Sequence, residues 1–169
     1  WWMVDEYRPA IYHFLSTGEL AARYVPEGTA DADGSPAGFY GVEALPEVYA
    51  QRRANRGFEA VAIEGDILYA FIQSPIDNPD DIGNTTSRRS GWTRILAFNT
   101  VTKQVVGEYL YPLFERDRGV DKIGDAVNIG PNKFMVIERD SRVGPRAFKY
   151  IYDIDLTGAT NLVTDPPML

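Results

Sequence analysis

The feature that most constrains the fold of this chain is a set of short strand-like segments that recurs along the sequence. In each segment, β-branched and aromatic residues are concentrated between turns that contain Gly, Pro, Asn or Asp, which is the pattern of β-strands. The clearest set predicts four strands, at residues 57–63, 67–73, 93–99 and 105–111. The other two sets predict strands at residues 123–129, 133–140, 147–155 and 159–163, and at residues 1–6, 10–15 and 20–25.

Repeated four-stranded antiparallel meanders at this spacing are typical of a β-propeller, in which each meander forms one blade. The predicted fold class is therefore all-β. Because one set lacks a strand, the chain is a partial propeller of about two and three-quarter blades. A closed propeller needs about four to eight blades, so we expect the remaining blades to come from further sequence or from a partner chain. The alternative is a small β-sandwich whose strands align by chance.

Residues 1–169 are interpreted as part of a single propeller domain. The chain begins inside an apolar run and without an initiator methionine, which predicts a longer polypeptide on the N-terminal side. From the N-terminus, the predicted parts are a partial blade at 1–25, a loop with a short helix (44–54) at 26–56, a blade at 57–114 with a polar insertion at 74–91, and a blade at 120–165.

Charge and composition exclude several classes of function. The formal net charge of −7 argues against a nucleic-acid partner, because no basic stripe balances the phosphates. The absence of cysteine excludes disulfides, thiolate nucleophiles and zinc–thiolate sites. No apolar run approaches the roughly 20 residues of a membrane helix, so no membrane span is expected. An acidic chain instead suits hard cations such as calcium.

Acidic residues recur at matching positions of the predicted blades. Aligning the first strands of two blades places Glu59 on Asp125, while Asp5 and Glu138 lie near the ends of second strands. First strands line the channel of a propeller, so these carboxylates are expected to converge. Like charges that converge need a cation, and calcium accepts six to eight oxygen ligands. The alternative is that the acids form structural ion pairs with Arg56, Lys122 and Arg139.

Three arginines, Arg52, Arg53 and Arg56, precede the first strand of the central unit. Guanidinium groups bind phosphate or carboxylate, although Arg52 and Arg53 can equally form the solvated face of the short helix. The only histidine, His13, lies mid-strand and is expected to be structural. The sequence contains neither a Gly-x-Ser-x-Gly elbow nor a Walker loop, so a serine-hydrolase mechanism has no support.

Several short runs together resemble one known family. The most specific is Asn55-Arg56-Gly57-Phe58-Glu59, accompanied in order by Val4-Asp5-Glu6-Tyr7, Gln73-Ser74-Pro75, Arg94-Ile95-Leu96 and Glu138-Arg139-Asp140. These runs resemble the phytase-like domain, also described as the esterase-like activity of phytase family. The resemblance implies a β-propeller, export to the periplasm or cell surface, frequent use of calcium, and hydrolysis of phosphate monoesters or related esters. Ala60 and Arg8 stand where the family motif has glycine, and Arg8 adds bulk and charge at a blade mouth.

The sequence and the resemblance together predict a calcium-assisted hydrolase of phosphate monoesters or related esters, acting at the mouth of the channel. The predicted metal ligands are Asp5, Glu6, Glu59 and Asp125. The predicted catalytic residues are Glu59, Asp125 and Glu138, and the residues predicted to bind the substrate are Arg56 and Arg139. The alternative is a non-catalytic propeller that serves as a scaffold or binding subunit in an extracellular or multi-chain assembly.

Overall fold

The computed structural model describes residues 1–31, 34–77 and 85–165, with only the backbone described at residues 85 and 86. Within these ranges, eleven strands form three sheets of four, four and three strands. The first sheet contains β1 (Trp2–Asp5), β2 (Ala10–Phe14), β3 (Leu20–Pro26) and β4 (Val42–Leu45). The central sheet contains β5 (Phe58–Glu64), β6 (Ile67–Ile72), β7 (Trp92–Asn99) and β8 (Gln104–Pro112). The third sheet contains β9 (Lys122–Gly130), β10 (Lys133–Arg139) and β11 (Lys149–Asp155).

Consecutive strands within each sheet pair in the antiparallel sense, except that β4 runs parallel to β3. Tight turns produce this order. The β5–β6 turn contains only Gly65 and Asp66, and Gly65 has a φ of 56°, a conformation that glycine adopts without steric cost. A short helix, α1 (Thr85–Arg89), precedes β7. Single 3₁₀ turns cover Glu47–Gln51, Arg116–Arg118 and Gly144–Arg146.

The core consists of two apolar layers, one on each face of the central sheet. The layer against the first sheet includes Tyr24 and Phe98, whose ring centroids are 4.9 Å apart. The layer against the third sheet includes Tyr69 and Phe134, whose ring centroids are 4.6 Å apart. The central sheet is therefore covered on both sides, and each outer sheet is covered on one side within the described ranges.

The all-β prediction is confirmed. Stacked sheets of three and four strands, with almost no helix, are consistent with part of a propeller, and the arrangement is not closed. The first strands of the central and third sheets, β5 and β9, lie side by side, and β1 contacts β5. The same ends of the three sheets therefore meet, and the candidate site lies at these ends.

Residues 44–54, for which the sequence predicts a short helix, have a different structure. Ala44 and Leu45 end β4, and only Glu47–Gln51 form a 3₁₀ turn. Pro46 separates the two elements, because its ring fixes φ and removes the amide that would continue the strand. Part of the predicted insertion at 74–91, residues 78–84, lies outside the described residues.

The strand predicted at residues 159–163 is also wrong. This segment forms turns that are attached to β8 of the central sheet, not to β11. The Asn161 side chain accepts from the Glu108 amide at 3.1 Å and donates to the Val106 carbonyl at 3.0 Å. The amide of Leu162 donates to the Glu108 carbonyl at 2.8 Å. These contacts hold the segment against β8, so the third sheet has three strands.

The alignment of Glu59 with Asp125 is shifted by one residue in the structure. Each first strand contains a β-bulge near its start, and the bulge falls at Glu59 in β5 and at Gly124 in β9. A bulge inserts one unpaired residue into a strand. Glu59 therefore corresponds to Gly124, while Asp125 corresponds to Ala60. A shift of one residue turns a side chain to the other face of its sheet.

Candidate functional site

A network of four polar side chains joins all three sheets at their common end. We call it the Glu59 network; it contains Glu6, Glu59, Gln73 and Arg139. Nε2 of Gln73 donates to both glutamates, to Glu6 and to Oε2 of Glu59, the latter at 2.5 Å. Nη2 of Arg139 donates to Oε1 of Glu59 at 2.8 Å. The two carboxylates are thus held together by an amide and a guanidinium.

Backbone hydrogen bonds beneath this network fix its position. The amide of Gly57 donates to the carbonyl of Glu6 at 2.5 Å, and the amide of Gln73 donates to the carbonyl of Gly57 at 2.7 Å. The amide of Ile123 then donates to the carbonyl of Gln73 at 2.8 Å. Only glycine fits at position 57, because a Cβ there would lie 2.6 Å from the carbonyl oxygen of Glu6.

The Glu59 network does not fit a calcium site as it stands. Oε2 of Glu59 accepts from Gln73, and Oε1 forms a charge-assisted hydrogen bond with Arg139, so the carboxylate is neutralised without a metal. In the described part of the chain, no three His, Asp or Glu side chains are grouped closely enough to hold a metal ion. Calcium needs six to eight oxygen ligands, whereas the amide nitrogen of Gln73 lies between Glu6 and Glu59.

The other predicted metal ligands lie apart from the Glu59 network. Asp5 closes the turn after β1: its Oδ1 accepts from the amides of Tyr7 and Arg8, and its Oδ2 accepts from the Tyr12 hydroxyl at 3.0 Å. Asp125 is exposed on the outer face of the third sheet and accepts from the amide that follows it, at 2.8 Å. The one-residue shift in β9 explains why Asp125 does not join Glu59.

Glu138, predicted to be catalytic, is fully buried. Its Oε1 accepts from the Tyr111 hydroxyl at 2.8 Å and from the Phe114 amide at 3.0 Å, and its Oε2 accepts from the Glu115 amide at 3.4 Å. Burial, followed by the nearby Glu138 charge, raises the pKa of Tyr111, so the hydroxyl remains a donor. This geometry favours a structural carboxylate that fixes the loop after β8.

Beside the Glu59 network lies a cleft of about 680 Å³ that contains four arginines. We call it the arginine cleft; it is lined by Arg53, Ala54, Arg56, Asp77, Arg88, Arg116 and Asp121. Its walls come from the segment before β5, from the region between β6 and β7, and from the loop before β9. Among the described lining residues, guanidinium groups outnumber carboxylates by four to two, so this part of the cleft carries excess positive charge.

Arg53 has the most unusual environment in the arginine cleft. Its Nε and Nη2 are buried and have no hydrogen-bond partner among the described residues. Burial lowers the pKa of the Arg53 guanidinium, Asp77 opposes this effect, and Arg56, Arg88 and Arg116 lower the pKa further. Buried donors of a charged group are costly to leave unpaired. An anionic ligand in the cleft would satisfy them.

Asp121 links the arginine cleft to the Glu59 network. Arg56 pairs with Oδ2 of Asp121 at 3.1 Å, and Lys122 approaches Oδ1 at 3.5 Å. The backbone amide of Asp121 donates to the carbonyl of Arg139 at 3.4 Å. Burial lowers the pKa of Lys122, while Asp121 opposes that effect. Of the ion pairs that the alternative interpretation predicts, the structure contains the one between Arg139 and Glu59. Arg56 and Lys122 instead pair with Asp121, which is not one of the acids considered in that interpretation.

Sequence reasoning missed Asp77, Arg88, Arg116 and Asp121 as members of one site. One signal was present. Arg56 lies two residues before Phe58 and Asp121 lies two residues before Ile123, and the register of the two sheets makes these positions equivalent. Opposite charges at equivalent positions before neighbouring first strands predict an ion pair. Arg88 and Arg116 come from irregular segments whose positions no sequence period indicates.

None of the helices in the described part of the chain has the length and apolar character that a membrane crossing requires. Comparison with protein families gives a match to the phytase-like family, described as esterase-like activity of phytase, over residues 1–165. Comparison with curated proteins and with solved structures gave no match.

Proposed function

We propose that this chain, which belongs to the phytase-like family over nearly its whole length, hydrolyses phosphate monoesters, and that the arginine cleft binds the phosphate. The observation that carries the proposal is that Arg53 lines the cleft, while its Nε and Nη2 are buried and have no hydrogen-bond partner among the described residues. The family supports an esterase-type activity in general. The four arginines favour an ester whose acid part carries more than one negative charge.

In the proposed reaction, water attacks the phosphorus atom of the bound ester. A new P–O bond forms, the ester P–O bond breaks, and the alcohol leaves with a proton while inorganic phosphate remains. Positioning and charge stabilisation are the main contributions that a protein makes to phosphoryl transfer. Arg53, Arg56, Arg88 and Arg116 supply the positive charge. The cleft contains two carboxylates, Asp77 and Asp121, and we assign the role of accepting a proton from the attacking water to Asp121, which Arg56 and Lys122 hold in place.

The residues predicted from the sequence enter this proposal to different degrees. Arg56 keeps its predicted role in binding the substrate, since it lines the arginine cleft. Arg139 is held by Glu59, so we propose that it positions Asp121 through its carbonyl and does not bind the phosphate directly. Glu59, Asp125 and Glu138 do not line the cleft, and their catalytic roles stay predictions.

Three further expectations from the sequence stay predictions. They are the use of calcium, export to the periplasm or cell surface, and completion of the propeller by further sequence or by a partner chain. Because the Glu59 network does not fit calcium as it stands, the proposed reaction contains no step that depends on a metal.

A second candidate function is a non-catalytic scaffold or binding subunit. The observation that favours it is that two of the predicted catalytic carboxylates already have hydrogen-bond or ion-pair partners within the protein. Glu59 is neutralised by Arg139, and Glu138 accepts three hydrogen bonds in the core. In that case the arginine cleft binds an anion without turning it over.

The test measures phosphate release from 4-nitrophenyl phosphate and from phytate, with 4-nitrophenyl acetate as the uncharged ester. In Arg53→Gln, the loss of one charge-assisted contact of about 1.5–3 kcal/mol is expected to lower kcat/KM for the phosphate esters roughly ten- to hundred-fold. The matched control is Arg142→Gln, since Arg142 is exposed and lies outside the cleft. The absence of phosphate release by the wild type would refute hydrolysis and support the scaffold.

A further inference from the structure

A second cavity lies on the side of the first sheet, and three arginines line it. We call it the first-sheet cavity; it has a volume of about 190 Å³ and is lined by Arg8, Pro9, Arg23, Val25, Pro26, Thr29, Ala50 and Arg52. It shares no lining residue with the arginine cleft. Its walls are apolar where Pro9, Val25, Pro26 and Ala50 line it, and cationic at the three arginines.

Within the residues the structure describes, neither Arg23 nor Arg52 forms a salt bridge with an acidic side chain. The positive charge of these two arginines is therefore not neutralised by direct contact. Nε of Arg23 is buried and has no hydrogen-bond partner among those residues. Arg52 donates only to a neutral acceptor, the carbonyl of Tyr7, at 3.1 and 3.2 Å. Burial, followed by the nearby Arg8, lowers the pKa of Arg52.

The nearest acid, Asp5, forms no salt bridge with Arg23 or Arg52 in the described part of the chain. Its two oxygens accept from two backbone amides and from the Tyr12 hydroxyl, and its charge opposes only part of the fall in the pKa of Arg52. The guanidinium of Arg23 lies over the Tyr12 ring, 5.2 Å from its centroid, which offsets part of the charge without forming a hydrogen bond. The cavity therefore contains excess positive charge next to an apolar surface.

Arg52 and Arg53 separate the two cavities. Arg52 lines the first-sheet cavity, whereas Arg53, the next residue along the chain, lines the arginine cleft. Neither arginine forms the solvated helix face that the sequence left open. The two cavities can bind two different anions.

We infer that the first-sheet cavity binds a small organic anion, a carboxylate with an apolar body of about the size of benzoate. The carboxylate would accept from Nε of Arg23, whose donor is otherwise unpaired, and would balance Arg52. The apolar body would contact the proline, valine and alanine side chains, a surface that gives a fully hydrated inorganic ion no favourable contact. This site is independent of the proposed hydrolysis in the arginine cleft.

Titration calorimetry with sodium benzoate on the full chain tests the inference, with benzyl alcohol as the uncharged probe and inorganic phosphate as the anion without an apolar body. We expect saturable binding of benzoate that exceeds the binding of benzyl alcohol. Arg23→Gln is expected to weaken benzoate binding at least about ten-fold. The control Arg53→Gln changes only the arginine cleft and is expected to leave benzoate affinity unchanged.

A second variant guards against a folding defect in Arg23→Gln. Ala50→Leu fills the cavity without changing its charge, and we expect it to abolish benzoate binding while the Tm stays close to that of the wild type. Three results overturn the inference: benzoate binding no tighter than that of benzyl alcohol, competition of phosphate for the same site with equal affinity, or loss of benzoate binding in Arg53→Gln but not in Ala50→Leu.

Discussion

Substitution of Glu138 can distinguish a structural role of its carboxylate from a catalytic role. Its side chain is fully buried and accepts hydrogen bonds from Tyr111, Phe114 and Glu115. Glu138→Gln keeps the shape of the side chain but replaces one acceptor oxygen with an amide group that donates. At least one of the three donors then faces another donor, or loses its partner, in a place that water does not reach.

The size of the effect follows from these contacts. A hydrogen bond to a charged group contributes about 1.5–3 kcal/mol, so the loss of one such bond and the weakening of the others gives about 3 kcal/mol for Glu138→Gln. In a chain of 169 residues this lowers the Tm by roughly 6–12 °C. Tyr111→Phe removes a single donor and leaves the two backbone amides in place, so it is expected to cost about 1.5–3 kcal/mol.

Two measurements on the same protein samples decide the role of Glu138. Thermal unfolding followed by circular dichroism gives the Tm, and phosphate release at 25 °C, where both proteins are folded, gives kcat/KM. We expect a large fall in Tm and an unchanged kcat/KM. A Tm within about 2 °C of the wild type, together with a fall in kcat/KM of more than about a hundred-fold, would refute the structural role and restore the catalytic role predicted from the sequence.

Three other predictions concern stability. Gly57→Ala is expected to cost about 1–3 kcal/mol, because its Cβ would meet backbone at 2.6 Å, whereas Gly130→Ala, which meets no atom within 4 Å, is the urea-denaturation control. Equal stability of the two variants would contradict this. The hydrogen bond from Lys149 holds the pKa of Asp140 below its ordinary value of 3.8. The carboxylate therefore stabilises the fold above that pH and loses this effect as the pH falls through the folded pKa. Asp140→Asn should be less stable than the wild type at pH 7 and equally stable at low pH; a gap that persists in acid would contradict the assignment. Chelation of divalent cations should leave the Tm unchanged, because the Glu59 network is neutralised from within; a fall of several degrees that Glu59→Gln abolishes would support the calcium site predicted from the sequence.

Most strands could be predicted from the sequence, because β-branched and aromatic residues are concentrated in them between strong turn residues. Each exception has a specific cause. At 159–163, the side chain of Asn161 binds the backbone of β8, an interaction between residues more than 50 positions apart that no local pattern reveals. At 44–54, Pro46 ends a strand that the sequence pattern had assigned to a helix.

The candidate site was predictable only where it lies on regular strands. The Asn-Arg-Gly-Phe-Glu run contains Arg56 and Glu59, and the structure places both residues near the common end of the three sheets. Asp125 failed to join them because a bulge shifts its strand by one residue, and a bulge cannot be read from apolar alternation alone. The arginine cleft was missed for a related reason: its residues come from three separate parts of the chain, between regular strands, whose proximity depends on the stacking of the sheets.

The most direct test of the account is a calorimetric titration of the full chain with inorganic phosphate at low ionic strength, because the central claim is that the arginine cleft is the phosphate site. We predict saturable binding that weakens about ten-fold or more in Arg53→Gln and is unchanged in the exposed control Arg142→Gln. Phosphate that fails to bind, or that binds Arg53→Gln as tightly as the wild type, would contradict the claim.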